Sequence, residues 1–101
     1  MFDNICIIGC GLIGSSILRA VKIKKLSKKT IVVDKSRDVL SYVKEKKLSD
    51  EITNDPRVAV KDSDFIIIST PLSSYKEVFL SIKDDVKKNA IITEQKVINI
   101  K

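Results

Sequence analysis

Three glycines, Gly9, Gly11 and Gly14, stand close together near the start of the chain, which has no others. They form the pattern Gly-x-Gly-x-x-Gly, after the apolar run at residues 4–8 and before a segment with helical spacing of its apolar residues. In that context the first glycine permits a tight turn, the second lets a ligand approach the backbone, and the third lets the helix pack against the strand. An ordinary strand-to-helix turn would explain one glycine only. The pattern therefore favours a β-α-β unit with a phosphate-bearing ligand at the start of its helix.

Strand and helix signals alternate along the rest of the chain. Short β-branched or apolar runs indicate buried strands, and apolar residues at helical spacing indicate helices packed on them. We expect strands at residues 4–8, 30–33, 65–68 and 90–93, a short edge strand within 48–53, and helices over 13–24, from 36 onward, over 57–61 and over 74–89. This alternation predicts an α/β fold: a partial Rossmann-type, doubly wound parallel sheet of about five strands with helices on both faces.

Polar residues mark where three of these helices begin. Ser36 is placed to cap the second helix, and Asp55 followed by Pro56 is typical of an N-cap and a first helical residue. The segment Ser74 to Glu77 fits a capping box, in which serine and glutamate side chains accept backbone N–H groups reciprocally. We therefore expect the last long helix to begin at this box and to end at Asn89, a residue type that tolerates the left-handed conformation.

Asp34 ends the second expected strand, about 20 residues beyond the glycine loop. A carboxylate in this place accepts hydrogen bonds from the adenosine ribose hydroxyls of a dinucleotide. Its charge would repel the 2′-phosphate of NADP, which favours NAD as the cofactor. Lys35 and Arg37 stand beside it and could accommodate that phosphate, so NADP stays open as the alternative. A solvated carboxylate at a strand end is the alternative interpretation of Asp34, and the matching spacing argues against it.

Ser69, Thr70 and Pro71 follow the most hydrophobic strand. In an open parallel sheet, ligands lie beyond the carboxyl ends of the strands where the winding reverses, so we expect this tripeptide beside the glycine loop. It would serve equally well as a plain turn before a helix. We assign no catalytic and no metal-binding residue. The candidate cofactor-binding residues are Gly9, Cys10, Gly11, Leu12, Ile13, Gly14, Asp34, Lys35, Arg37, Ser69, Thr70 and Pro71.

The net charge of +6 raises the question of nucleic-acid binding. The lysines cluster at Lys22 to Lys29, at Lys44 to Lys47, and at Lys87 with Lys88. We place these clusters at helix ends, where cations complement the helix dipole. No aromatic residues alternate with them for stacking on bases. The sequence therefore predicts no nucleic-acid partner.

The chain carries no apolar run long enough to cross a membrane, and its first residues lack the basic segment of a signal peptide. We therefore expect a cytoplasmic protein without a membrane partner. Cys6 and Cys10 are separated by about 10–13 Å of extended chain, which is beyond disulfide reach. Their spacing also differs from those of redox and zinc motifs.

The amino-acid sequence in and around the glycine loop is more specific than the generic Gly-x-Gly-x-x-Gly pattern. The segment from Ile7 to Ser16, Ile-Ile-Gly-Cys-Gly-Leu-Ile-Gly-Ser-Ser, resembles the start of prephenate and arogenate dehydrogenases. The segments Val33 to Ser36 and Asp62 to Pro71 are similar to later parts of that family, and the resemblance covers roughly residues 4–93. It implies an NAD(P)-dependent oxidoreductase that oxidises and decarboxylates prephenate or arogenate in tyrosine biosynthesis.

Two departures limit what the resemblance implies. The family follows its last strand here with a segment like Asp-x-x-Ser-x-Lys, whereas Glu94 to Asn99 keeps only the acidic residue. The family's catalytic histidine has no counterpart, since the chain contains no histidine, and we expect the helical catalytic and dimerisation domain of the family to be absent. We therefore expect an NAD(P)-binding Rossmann domain at residues 1–93 and a divergent tail at 94–101, the product of a truncated gene, a frameshift or a cut. Such a chain would be inactive alone and would take a small-molecule substrate only with a helical domain supplied; oligomer formation stays open.

Two other interpretations of the chain remain. It could be the cofactor domain of a related enzyme, such as a pyrroline-carboxylate reductase or a hydroxyacid dehydrogenase, although Leu12-Ile13 and Ser15-Ser16 favour the first family. It could also be a non-catalytic nucleotide-binding module, because a fold alone does not fix a function.

Overall fold

The computed structural model of the protein describes residues 2–9 and 11–94. In chain order its elements are β1 (Phe2–Ile8), α1 (Leu12–Lys24), β2 (Ser27–Val33), α2 (Arg37–Glu45), β3 (Glu51–Thr53), α3 (Pro56–Val60), β4 (Phe65–Ile68), α4 (Leu72–Ile82) and β5 (Ile91–Glu94). The five strands form one sheet in the order β3-β2-β1-β4-β5, with every neighbouring pair parallel. This topology confirms the expected doubly wound α/β fold.

Alternate side chains of the central strands point to opposite faces of the sheet and form two apolar clusters. Ile5 and Ile7 of β1 pack in the cluster that α1 and α2 cover, together with Leu18 and Val43. Cys6 and Ile8 pack in the other cluster, which α3 and α4 cover. The members contributed there by the two helices are Ala59, Val60, Tyr75, Val78, Phe79 and Ile82. The winding of the chain therefore reverses between β1, the central strand of the sheet, and its neighbour β4.

The helix starts expected at Ser36 and Asp55 are confirmed. The Ser36 hydroxyl accepts a hydrogen bond from the Val39 N–H at 3.3 Å, which caps α2. The Asp55 carboxylate accepts from the Arg57 N–H at 3.0 Å, and Pro56 is the first residue of α3. The short edge strand expected within residues 48–53 is β3, and β4 has the expected bounds. Strands β1 and β2 begin earlier than expected, because each pairs with the other along its first residues.

The expected capping box of the last long helix is wrong. Helix α4 begins at Leu72, so Ser74 lies in its first turn and donates its N–H to the Pro71 carbonyl at 2.8 Å. Pro71 has extended backbone, with ψ of 147°, and no N–H of its own. A residue of this kind stands readily just before a first helical turn, because the helix needs no hydrogen bond from it. The helix therefore starts directly after the end of the β4 loop.

The expected end of the same helix at Asn89 is also wrong. Helix α4 ends at Ile82, and the Asp85 N–H then bonds to the Ile82 carbonyl at 2.8 Å in a tight turn. The Asp85 carboxylate holds this turn against α3, since it pairs with Arg57 at 3.2 Å. Asn89 does adopt the left-handed conformation, with φ of 71°, but it does so in the turn that precedes β5.

The early end of α4 and the early start of β2 also change the positions of several lysines. Lys22 and Lys24 lie in the last turn of α1, as expected. Lys28 and Lys29 lie instead in β2, and Lys28 pairs with Asp3 of the neighbouring strand at 3.2 Å. Lys87 and Lys88, which were expected at the end of a third helix, stand in the turn before β5. The helix-dipole interpretation is therefore wrong for Lys28, Lys29, Lys87 and Lys88.

Cys6 carries a free thiol that is buried in β1. Burial raises the pKa of this thiol to about 12, although a hydrogen bond with Ser63 acts in the opposite direction. The thiol therefore stays neutral and serves packing. Cys10 lies outside the described residues. Within residues 2–9 and 11–94, no helix is long and apolar enough to cross a membrane, and no cluster of acidic, cysteine or histidine side chains is suited to a metal ion.

Candidate cofactor-binding site

The candidate site lies where β1 and β4 end side by side. The chain leaves β1 through the glycine loop and enters α1 on one face of the sheet. It leaves β4 through Ser69, Thr70 and Pro71 and enters α4 on the other face. The Ser69 N–H donates to the Ile8 carbonyl at 2.8 Å, which fixes the second exit against the first. A crevice between two diverging loops is the place where ligands bind to open sheets of this kind.

Gly9 occupies a backbone position that other residues would strain. Its φ is +85°, and its N–H donates to the Val33 carbonyl of β2 at 2.7 Å. A Cβ atom added here would lie 2.9 Å from the Cγ2 atom of Thr70 and 3.1 Å from the carbonyl oxygen of Ser69. Both the backbone conformation and the close approach of the β4 loop therefore require glycine at this position.

Gly11 presents the opposite situation. It is the N-cap of α1, with φ of −80° and ψ of −152°, a conformation that any residue can adopt. A Cβ atom added here would meet no heavy atom within 4 Å. The fold itself therefore does not demand glycine at this position, and the space beside its backbone is open. Gly14 is buried within α1, where the sequence places the glycine that brings helix and strand together.

The two helices that begin at the site, α1 and α4, lack the side-chain caps that α2 and α3 have. Helices α2 and α3 begin with side-chain caps, whereas neither Gly11 nor Pro71 supplies a side-chain hydrogen bond to the helix that it precedes. The first turn of a helix exposes backbone N–H groups and a positive dipole end, which together suit an anion. Helices α1 and α4 both begin at the crevice, so two such ends flank it.

The Thr70 hydroxyl in the crevice lacks a hydrogen-bond partner among the described residues, and its Oγ1 atom is buried. Leaving a buried hydroxyl unpaired costs about 1–3 kcal/mol. Unsatisfied groups of this kind are uncommon in folded proteins and point to a partner that is supplied from outside the chain.

Asp34 stands at the end of β2, next to the glycine loop. Its N–H donates to the Thr53 carbonyl at 3.2 Å, and its Oδ1 atom accepts from the Ser36 N–H at 2.8 Å. The carboxylate is thus oriented by the backbone that leads into α2, and it is partly buried. Lys35 and Arg37 are exposed on either side of Ser36. Their side chains are available to a ligand at this end of the crevice.

The structure therefore brings three strand ends together at one place. Gly9 links the end of β1 to Val33 on one side and to Ser69 and Thr70 on the other. Of the other candidate residues, Leu12 and Ile13 form the first turn of α1, Pro71 precedes α4, and Cys10 lies outside the described residues. The assignment of these residues to cofactor binding remains a prediction.

Sequence reasoning missed two features of this site. The sequence placed the tripeptide beside the glycine loop, but no local pattern indicates that Thr70 approaches Gly9 so closely that a Cβ atom would not fit between them. The second missed feature is the start of α4 beside the crevice. The capping-box pattern at Ser74 predicts a later start, whereas Pro71 is a residue type that often stands at the start of a helix.

A parallel sheet of this order, with a glycine loop between strand and helix at the reversal point, defines the Rossmann class of dinucleotide-binding domains. The chain belongs to the family described as "NADP oxidoreductase coenzyme F420-dependent", which it matches over residues 4–94. The oxidoreductase resemblance expected from the sequence is thereby confirmed at the level of this domain.

Three known proteins illustrate the relationship. The chain is 33% identical over 94 residues to the cyclohexadienyl dehydrogenase of Zymomonas mobilis, covering 93% of this chain and 32% of that protein. Prephenate dehydrogenase from A. aeolicus, solved in complex with hydroxyphenyl propionate and NAD+, superposes with a TM-score of 0.87 at 22% identity, covering 95% of this chain and 34% of that chain. A pyrroline-5-carboxylate reductase from Coxiella burnetii gives a TM-score of 0.84 at 23% identity, covering 94% and 36%.

These structural similarities confirm the fold, and they do not separate one dehydrogenase from another. The two TM-scores differ little, although the two enzymes act on different substrates. The sequence identity to the cyclohexadienyl dehydrogenase is the more specific observation. The chain spans about a third of the length of these relatives.

Proposed function

We propose that this chain is the dinucleotide-binding part of a dehydrogenase that acts on prephenate or arogenate, with NAD as the cofactor and NADP as the alternative. The observation that carries the proposal is the buried, unpartnered Thr70 hydroxyl beside the glycine loop. The substrate class rests on the loop wording from Ile7 to Ser16 and on the identity to cyclohexadienyl dehydrogenase.

The pyrophosphate is the part of the cofactor that best fits the crevice. The backbone at Gly11 is open on the side where a Cβ atom would stand. The start of α1 lacks a side-chain cap and so offers N–H groups and a positive dipole end to the phosphates. Pro71 leaves the start of α4 uncapped in the same way. Thr70 would then donate its hydroxyl to a phosphate or ribose oxygen, which removes the cost of its burial.

Asp34 would bind the adenosine ribose, and its charge favours NAD. The Ser36 N–H donates to one carboxylate oxygen at 2.8 Å, which orients the carboxylate at the end of β2. A 2′-phosphate at this place would meet that negative charge at short range. Lys35 and Arg37 are exposed nearby and would offset part of the repulsion, which is why NADP remains the alternative.

The bound nicotinamide would supply the acceptor for a hydride. The contribution of this chain is to hold and orient the dinucleotide through the glycine loop, Asp34 and Thr70. The chain contains no histidine. In the proposal, a helical domain therefore completes the substrate site, and residues 1–93 act as the cofactor domain. Oxidative decarboxylation, a role in tyrosine biosynthesis and a cytoplasmic location belong to the same proposal.

Calorimetric titration of the folded chain with NAD and with NADP tests the cofactor assignment. We expect saturable binding of both cofactors, with NAD the tighter ligand. The Gly11→Val variant is the control, because its added side chain would occupy the open space beside the loop. If the folded parent binds neither cofactor at millimolar concentration, the proposal fails.

The substrate class needs a second experiment. A helical domain from a prephenate dehydrogenase, added in trans, would be assayed with this chain for prephenate-dependent formation of NADH. Activity would rule out a non-catalytic nucleotide-binding module. The similarity in fold to pyrroline-5-carboxylate reductase makes that enzyme class the second candidate, and pyrroline-5-carboxylate with NADPH is its matched assay.

A further inference from the structure

A second cavity lies at the amino ends of the strands, on the opposite side of the molecule from the glycine loop. It has a volume of about 320 Å³ and is bounded by the end of α1, the start of β2 and the segment between α2 and β3. Strand β2 begins beside this cavity with Ser27 and ends at Val33, next to Asp34 and the dinucleotide crevice. The cavity is therefore separate from the crevice between β1 and β4. Its size is near the lower limit of small-molecule sites, about 300 Å³.

The walls of this cavity are strongly basic. Lys22, Lys25, Lys28 and Lys47 line it, and Asp50 is the one acidic residue that the cavity includes. The Asp50 carboxylate is turned toward β2, where its Oδ2 atom accepts from the N–H of Thr30 at 2.8 Å and from its hydroxyl at 3.2 Å. Its single negative charge offsets at most one of the four positive charges, so the cavity keeps a net positive charge. Such a concentration of like charge costs stability unless an anion offsets it.

The lysines of the cavity are not equally engaged. The Lys22 ammonium group donates to the Lys47 carbonyl at 2.8 Å, which ties the end of α1 to the loop after α2. Lys28 pairs with Asp3, but both side chains are mostly exposed, and exposed pairs contribute little. Within the described part of the chain, the ammonium groups of Lys25 and Lys47 have no hydrogen-bond or ion-pair partner.

Helix dipoles alone do not account for these two lysines. Backbone groups already occupy carbonyls at both helix ends. At the end of α1, the Leu26 N–H donates to the Val21 carbonyl at 3.1 Å. After α2, the Leu48 N–H donates to the Val43 carbonyl at 3.0 Å. The two ammonium groups are thus not needed as donors to these carbonyls.

Ser27 gives a second, independent indication of a ligand. It lines the same cavity, and its hydroxyl oxygen is buried without a hydrogen-bond partner among the described residues. A buried hydroxyl of this kind is expected to find a partner, here one that enters the cavity. The donor set is then a hydroxyl with several ammonium groups, which are point charges rather than planar forks. Such donors suit the tetrahedral oxygens of phosphate more than a flat carboxylate.

We propose that this cavity binds a small multivalent anion of the phosphate class, at a site distinct from the dinucleotide crevice. The anion contacts the ammonium groups of Lys25 and Lys47 and the hydroxyl of Ser27. Lys22 holds the two walls together, and Lys28 joins the site by leaving its exposed pair with Asp3. Binding offsets the repulsion between the lysines and therefore stabilises the folded chain.

Titration of the full chain with inorganic tripolyphosphate, at constant ionic strength, tests the site. We expect saturable one-site binding and a rise in Tm beyond that produced by sodium chloride. Lys25 and Lys47 both have left-handed backbone, with φ of 52° and 54°. The variant Lys25→Gln/Lys47→Gln replaces both by a flexible polar residue of similar length and removes two charges, and its affinity is expected to fall at least about tenfold. The control Lys83→Gln/Lys88→Gln removes the same charge elsewhere and is expected to stay within about twofold of the parent.

Three outcomes would overturn the proposal. Equal weakening in the two double variants would show general attraction to a chain of net charge +6. Loss of tripolyphosphate binding in Gly11→Val would place the anion in the glycine loop. Tighter binding of a random single-stranded oligonucleotide than of tripolyphosphate would assign the lysines to a nucleic-acid surface. Each variant is compared with the parent by its Tm without anion, so a folding defect is recognised.

Discussion

A Cβ atom on Gly9 would lie 2.9 Å from the Cγ2 atom of Thr70, which is closer than carbon atoms of a folded protein approach. The backbone of Gly9 is also left-handed, with φ of +85°. The loops that leave β1 and β4 are thus interlocked through a residue that has no side chain. This relationship makes the effect of substitutions at Gly9 and Gly11 predictable and different.

Gly9→Ala is expected to destabilise the chain by about 2–3 kcal/mol, because backbone strain and a steric clash add. Urea denaturation followed by circular dichroism measures this. Adding Thr70→Ser removes the Cγ2 atom but leaves the Ser69 carbonyl 3.1 Å from the new atom. The double variant should therefore recover part of the loss and not all of it. An unchanged midpoint in Gly9→Ala would contradict the geometry.

Gly11→Val is expected to leave stability within about 1 kcal/mol of the parent, since a Cβ atom there meets no heavy atom within 4 Å. Cofactor binding should be lost, because the side chain fills the space proposed for the pyrophosphate. Calorimetry with NAD and thermal denaturation of the same sample separate the two effects. Gly11→Ala is the matched control, with an intermediate loss of affinity. Normal NAD binding by the valine variant would place the cofactor elsewhere.

Thr70→Val replaces the unpartnered hydroxyl by a methyl group of similar shape. We expect the free chain to be as stable as the parent or more stable by about 1 kcal/mol, because no hydrogen bond is lost. NAD affinity is expected to fall about fivefold to tenfold, the value of a typical hydrogen bond. Thr70→Ser keeps the hydroxyl and should bind NAD like the parent. If the valine variant binds as tightly, the hydroxyl does not contact the cofactor.

Asp34→Asn tests the choice between cofactors. Asparagine can still accept from the Ser36 N–H, so the local backbone is retained while the charge is removed. The ratio of NADP to NAD affinity is expected to rise about tenfold, because repulsion of the 2′-phosphate is removed. Asp38→Asn, on an exposed residue of the first turn of α2, is the control and should leave the ratio unchanged. An unchanged ratio in both variants would show that Asp34 does not face the 2′ position.

Asp64 predicts a dependence of stability on pH. A hydrogen bond from Lys87, followed by one from the Asn4 N–H, holds the pKa of this carboxyl below its ordinary value. A lowered pKa in the folded state means that the stabilisation is present above the ordinary value and is lost as pH falls through the folded value. The parent should therefore lose stability below about pH 4.

Asp64→Asn is the variant that checks this assignment. It should be less stable than the parent at neutral pH, and the difference should narrow in acid as Asp64 of the parent takes up its proton. Urea midpoints at several pH values measure the difference. Asp84→Asn removes an exposed carboxylate from the turn after α4 and is the matched control. A constant difference for Asp64→Asn would contradict the assignment.

The sequence predicted the fold well because its signals were local. The glycine loop, the Ser36 and Asp55 caps and the apolar strand runs depend on near neighbours along the chain, and the structure confirms them. The bounds of α4 were missed because Ser74 and Asn89 fit helix-end patterns, whereas the helix begins directly after Pro71 and ends at Ile82, where Asp85 closes a turn and pairs with Arg57 of α3. Neither a proline at the N-cap nor a distant ion pair has a periodic signature.

The candidate site was predictable in its residues and not in its contacts. Gly9, Asp34 and Thr70 could be named from motif spacing, because the carboxyl ends of parallel strands meet at one edge. The close approach of Gly9 to Thr70 and the unpartnered hydroxyl depend on the register of β1 with β4, which spacing does not reveal.

The division of the interior into two apolar clusters has a mechanical consequence. One cluster holds α1 and α2, the other holds α3 and α4, and the central strands are the partition that they share. A ligand that contacts both the glycine loop and Thr70 would connect the two faces at the carboxyl ends of β1 and β4. Its binding would then slow amide exchange in helices on both faces together, although it contacts only their first turns.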